Sequence, residues 1–135
     1  MIRDAFPIMA AGLLLSGCAS ISPACSGDFD AFLARFGEDV AFQREFTSPT
    51  VVVTASEPGG IAEQVITRRA KSDLTFPLMP PAAERRRLGL VEKAEHNGPR
   101  ATFRFARPDS DAHSMSFTFE RRGCWALTQI DDQSL

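Results

Sequence analysis

Glu92 and Asp131 are the side chains best placed for acid–base work, because each shares the parity of a strand whose other members are apolar. Gln129 joins them on the same face. A carboxylate among Phe103, Phe117, Trp125 and Leu127 loses hydration, which raises its pKa toward that of a general base or a ligand anchor. The competing role for Glu92 is an ion pair with an arginine, or a place at the sheet rim where water reaches it. Eleven Phe and no Tyr exclude mechanisms that need a phenol. There is no GxSxG, HExxH, CxxC, Walker loop or dinucleotide glycine fingerprint. His96 and His113 adjoin different turns and lack Cys or carboxylate partners at ligand spacing, so no metal and no cofactor is expected.

These placements depend on strand register. Four extended runs lie near 88–96, 100–107, 113–121 and 124–131, separated by turn residues. Asn97 and Gly98 read as a two-residue hairpin turn, Pro108 to Asp111 as a loop, and Arg121 to Gly123 as a three-residue loop with left-handed glycine. That register sets Leu90 opposite Phe105, Glu92 opposite Phe103, Phe119 opposite Trp125 and Phe117 opposite Leu127. The other face carries Lys93, Thr102, Arg104, Ser116, Thr118 and Glu120. A sheet with one wet face must bury the other.

Upstream, Phe29, Phe32, Leu33 and Phe36 follow the stripe of an amphipathic helix, with Ser26 or Asp28 as N-cap and Gly37 as stop. Val40, Phe42 and Phe46 predict a second short helix from Glu38 or Asp39. Val51 to Val53 and Ala62 to Arg69 read as strands around a Pro58–Gly60 turn, and Leu74 to Leu78 as a further extended piece. Pro80 and Pro81 open a helical turn over Ala82 to Arg87. The fold class is therefore α+β, with N-terminal helices packed on a curved antiparallel sheet. The segments FDAFLARFGEDVAFQREF, SDLTFPL and CWALTQIDDQSL resemble a group of exported bacterial proteins in the nuclear transport factor 2-like (NTF2-like), or cystatin-like, superfamily. The resemblance implies a cone-shaped domain and a possible homodimer through the sheet face. Relatives that isomerise steroids or dehydrate polyketides pair an acid or His with Tyr, so the lack of Tyr excludes that chemistry here.

The N-terminus reads as an address. Arg3 precedes an apolar run from Ala5 to Leu15, shorter than the roughly 18–20 residues of a spanning helix. Then LSGC, residues 15–18, resembles the lipobox of bacterial lipoproteins. The resemblance implies cleavage between Gly17 and Cys18, acylation of Cys18, and a division into signal peptide 1–17, lipidated tether 18–24 and a single domain 25–135. Ala19 and Ser20, rather than Asp, imply the outer membrane on the periplasmic side. Export to an oxidising compartment makes Cys25 and Cys124 a candidate disulfide, with two free thiols as the alternative. Cys124 points away from the apolar face, so a bridge requires the N-terminal segment to wrap a sheet edge.

A formal charge of -2 gives no overall footprint for nucleic acid. The basic clusters, Arg68, Arg69 and Lys71 and then Arg85 to Arg87, suit anionic headgroups, a partner protein or a solvated face. The expected role is a membrane-anchored, non-catalytic binding module for an envelope protein or a small apolar ligand, with the bilayer as partner through Cys18. The rival is a small hydrolase, isomerase or lyase using Glu92 or Asp131.

Overall fold

The computed structural model describes residues 22, 24–56 and 63–133. The LSGC segment and the Pro58–Gly60 turn lie outside them.

Helix α1, Phe29–Glu38, starts where Asp28 accepts a hydrogen bond from the Ala31 N–H at 3.2 Å, satisfying one of the helix's orphan donors. The helix passes through Gly37 and ends at Asp39, whose carboxylate caps α2, Val40–Glu45, by accepting from Phe42 N–H at 3.0 Å. Gly37 was expected as the stop. Instead it is a helical residue, and a Cβ built on it would meet the Arg85 Nη1 at 3.3 Å. Absence of a side chain there permits a close approach.

The sheet follows as β1 (Thr47–Ser56), β2 (Gln64–Ala70), β3 (Val91–Asn97), β4 (Arg100–Arg107), β5 (Ser110–Arg122) and β6 (Cys124–Asp132). A 3₁₀ turn, Lys71–Asp73, and helix α3, Ala82–Arg87, lie between β2 and β3. The strands run β2-β1-β6-β5-β4-β3 across one six-stranded sheet. Four of the neighbour pairs are antiparallel, and β1 with β6 is parallel. Leu74 to Leu78, expected as extended, adopts no regular element.

Turn chemistry moves two registers by an even step. Between β3 and β4 the tip is Gly98–Pro99, with Asn97 opposite Arg100 and φ +59 at Gly98. A positive first φ followed by proline is the sign pattern of a type II′ hairpin. Glu92 accordingly faces Phe105, not Phe103. At the last hairpin Arg122 pairs Cys124 around Gly123, so Phe119 faces Leu127 rather than Trp125. Shifts of two keep every side chain on its expected face.

The third shift is odd and has larger consequences. Between Phe119↔Leu127 and Thr118↔Gln129 the β6 strand carries one extra residue, Thr128, a β-bulge. Beyond it the parity reverses. Ile130 turns inward opposite Phe117, while Gln129 and Asp131 pair Thr118 and Ser116 on the outer face. The expectation that Gln129 and Asp131 share the apolar face with Leu127 is thus overturned by a single inserted residue.

The helices lie on the inner face. Phe32, Phe36, Phe117, Phe119, Trp125 and Leu127 are each fully buried, and burying each such side chain contributes about 1.5–3 kcal/mol.

Candidate functional site

The space expected to form a pocket is occupied by rings. Phe29 packs edge-on against Trp125 at 5.1 Å between centroids, Phe36 against Phe119 at 5.1 Å and Phe32 against Phe119 at 5.4 Å. Phe103, Phe117, Trp125 and Leu127 are all at or near zero exposure. These side chains are core to the fold, in the tilted and edge-to-face geometry that aromatic quadrupoles favour.

Glu92 is on the inner face but on an edge strand, where its side chain keeps 37% exposure. Its Oε1 accepts from Arg85 Nε at 2.5 Å. Arg85 is 7% exposed, and its guanidinium donates from Nη1 to the Pro80 carbonyl at 2.6 Å and lies 5.2 Å from the Phe103 ring centroid. The carboxylate therefore neutralises a buried cation rather than facing an open pocket. Glu92 thus has an arginine ion pair on a partly hydrated edge strand, as its two non-catalytic readings expect.

Two side chains put Arg85 there. Gln43, 1% exposed, donates from Nε2 to Met79 O at 3.3 Å and accepts at Oε1 from Leu78 N–H at 2.8 Å, satisfying a buried amide at both ends. Glu38 accepts from Ala82 N–H at 2.9 Å, supplying the first turn of α3 with the cap that Pro81 cannot provide. Together they hold residues 78–82 against α1 and α2 and aim Arg85 past Gly37 into the core. Sequence reasoning treated Arg85 to Arg87 as one exposed basic cluster. The available signal was a glycine inside a strong helical stripe, which marks a close approach. Arg87, by contrast, pairs within its own helix, with Nε donating to Glu84 Oε2 at 2.9 Å.

Asp131, displaced to the outer face, pairs Thr54 of β1 as well as Ser116 of β5. Its Oδ1 is buried without a hydrogen-bond partner among the described residues, as is the Trp125 indole nitrogen. His96 is at the end of β3, with its Nε2 3.0 Å from Gly98 O and its ring 5.5 Å from Trp125. Backbone alone is described for His113. Among the described residues no group of three His, Cys, Asp or Glu is placed to hold a metal, and no helix is long and apolar enough to cross a membrane.

Cys25 and Cys124 form a disulfide across a sequence separation of 99. The required wrapping is visible at β6. The described pairing of β1 with β6 begins at Thr47↔Leu127, which leaves the start of β6 open on that side. Ala24 fills the gap, its carbonyl accepting from Trp125 N–H at 2.6 Å. Ala24 is fully buried and Cys25 packs beside it, so these two residues before α1 belong to the core.

A concavity is on the outer face, an open trough of about 850 Å³ running from β2 across β1 and β6 to β4. Arg68, Lys71, Arg100 and Arg122 line it with Glu45 and Glu120, and Cys124 forms part of its wall. Gln129 reaches it as a result of the Thr128 bulge. Arg69, grouped by sequence with Arg68 and Lys71, is on the opposite face beside Val51.

No protein-family profile matches the chain, and no curated sequence matches it. Among solved structures it is similar to an NTF2-like protein from Bacteroides fragilis, with 16% identity and a TM-score of 0.59 over 80% of this chain. The chain spans 47%, about half, of that protein's length. A structure from work on de novo design of proteins with diverse pockets aligns at a TM-score of 0.38 with 9% identity, covering 76% of this chain and 91% of its own. At 16% identity the likeness establishes the fold alone: an α+β, NTF2-like arrangement of helices on a curved, open six-stranded sheet.

Proposed function

We propose that the chain is an envelope lipoprotein whose NTF2-like domain is a non-catalytic binding module, held at the outer membrane on the periplasmic side by acylated Cys18. One observation carries the binding half of this reading. The interior that an NTF2-like enzyme would use for substrate is filled by Phe29, Phe32, Phe36, Phe119 and Trp125. The inner-face carboxylate, Glu92, is committed to Arg85. Recognition therefore belongs to the surface. The anchoring half rests on the order of Arg3, the apolar run and LSGC in the sequence.

Crosslinking and mass spectrometry of native membranes test both halves. The expected result is a mature peptide beginning at an acylated Cys18, together with crosslinks from surface residues to an envelope neighbour or a second copy. The same crosslinks are expected from Glu92→Gln. A soluble, unprocessed N-terminus overturns the anchoring. Crosslinks lost in a correctly folded Glu92→Gln variant overturn the surface reading.

A further inference from the structure

We propose that the outer-face trough docks on the anionic phosphate headgroups of the bilayer that holds the chain, an inference that rests on the anchoring read from Cys18. Three observations converge on this occupant. The first is charge: the trough gathers four cationic against two acidic side chains, in a chain whose formal charge is -2. Glu120 is already within 3.8 Å of Arg122. The Arg68 and Arg100 side chains have no hydrogen bond or ion pair among the described residues. In the other basic cluster Arg85 and Arg87 are spent on Glu92 and Glu84. Arg68 and Arg100 are thus left in the trough without an acidic partner of their own.

The second is reach. Cys124 in the trough wall is bonded to Cys25, and the seven residues from Cys18 to Cys25 span at most about 25 Å when fully extended. An acyl group on Cys18 keeps the trough within that distance of the headgroups. The third is an apolar contact of the right size: Ile66, 70% exposed, shares the outer face with Arg68 two residues away. Docking in this orientation lays the sheet along the leaflet and turns α1 and α2 away from it.

The test uses the full chain carrying Cys18→Ser, which cannot be acylated, floated with vesicles of phosphatidylcholine alone and with vesicles containing phosphatidylglycerol. The leader's apolar run binds both kinds alike, so the ratio of the two affinities reports charge. Each cation near an anionic surface contributes up to about fivefold. The expected ratio is above tenfold at low salt, and it falls at least tenfold in Arg68→Gln/Arg100→Gln/Arg122→Gln and in high salt. Arg69→Gln/Arg86→Gln, also exposed but outside the trough, keeps the parent ratio, and unchanged Trp125 fluorescence verifies folding. A parent ratio near one, an equal fall in the control pair, or no fall in the triple variant overturns the proposal. So does tight binding of free glycerol phosphate that displaces the vesicles, which makes the trough a small-anion site. Failure of the anchoring is read separately: an unacylated native N-terminus removes both readings, whereas an acylated protein with a ratio near one removes the docking alone.

Discussion

The disulfide is the feature whose removal should cost the fold most for the fewest lost contacts. Cys25 and Cys124 close a loop with a sequence separation of 99. In the chain-entropy account a loop of that length stabilises the folded state by about 4.7 kcal/mol, mostly by restricting the unfolded chain. The native contacts at the site do not depend on the bond. Ala24 stays buried against the core, and Trp125 N–H still has the Ala24 carbonyl. Paired Cys25→Ala and Cys124→Ala in a Cys18→Ser background should therefore leave the structure in place while lowering Tm by about 15–20 °C, at about 4 °C per kcal/mol for a domain of this size. Urea unfolding followed by the single, buried Trp125 measures the loss. It also supplies an independent check. Removing the crosslink lets the unfolded chain expand, so the slope of stability against urea should steepen. A loss below about 1 kcal/mol with an unchanged slope would refute the unfolded-chain argument.

The Arg85–Glu92 pair should respond asymmetrically. Glu92→Ala strands a buried guanidinium and should cost about 2 kcal/mol, below the range for a fully buried pair because Glu92 is partly hydrated, whereas Arg85→Met leaves an acid that water can reach and should stay within about 1 kcal/mol of the parent. Calorimetry of both variants decides this, and Arg85→Met as the worse of the two would contradict it. The Thr128 bulge makes a second contrast: Ile130→Asn places an amide under the helices and should destabilise by about 2–4 kcal/mol, while Gln129→Glu on the outer face should change stability by less than about 0.5 kcal/mol. Equal effects in urea unfolding would restore the unbulged register.

Much of the domain was legible because its signals are local. The spacing of Phe29, Phe32 and Phe36 specifies a helix and the face it buries, and the Asp28 cap sets where it starts. The prolines at 80 and 81 announce α3, and glycines at 98 and 123 announce hairpins. Even where the turns were misplaced, two-residue slips preserved parity, so Phe103, Phe105, Phe117, Phe119, Trp125 and Leu127 reached the face their alternation implied.

Three decisions belong to the tertiary structure alone. The bulge at Thr128 has no local signature, since β6 must pair antiparallel with β5 and parallel with β1 at once. That dual pairing sets Gln129 and Asp131 on the outer face. Arg85 is indistinguishable from Arg86 by composition; only the clamp from Glu38 and Gln43, and the missing side chain at Gly37, select it for burial and so commit Glu92. The trough likewise brings Arg68 of β2 toward Arg100 of β4 and Arg122 of β5 because β1 pairs with β6, a junction between strands distant in sequence. Periodicity tells a residue which way to face, whereas what it meets there depends on chain segments that only folding brings alongside.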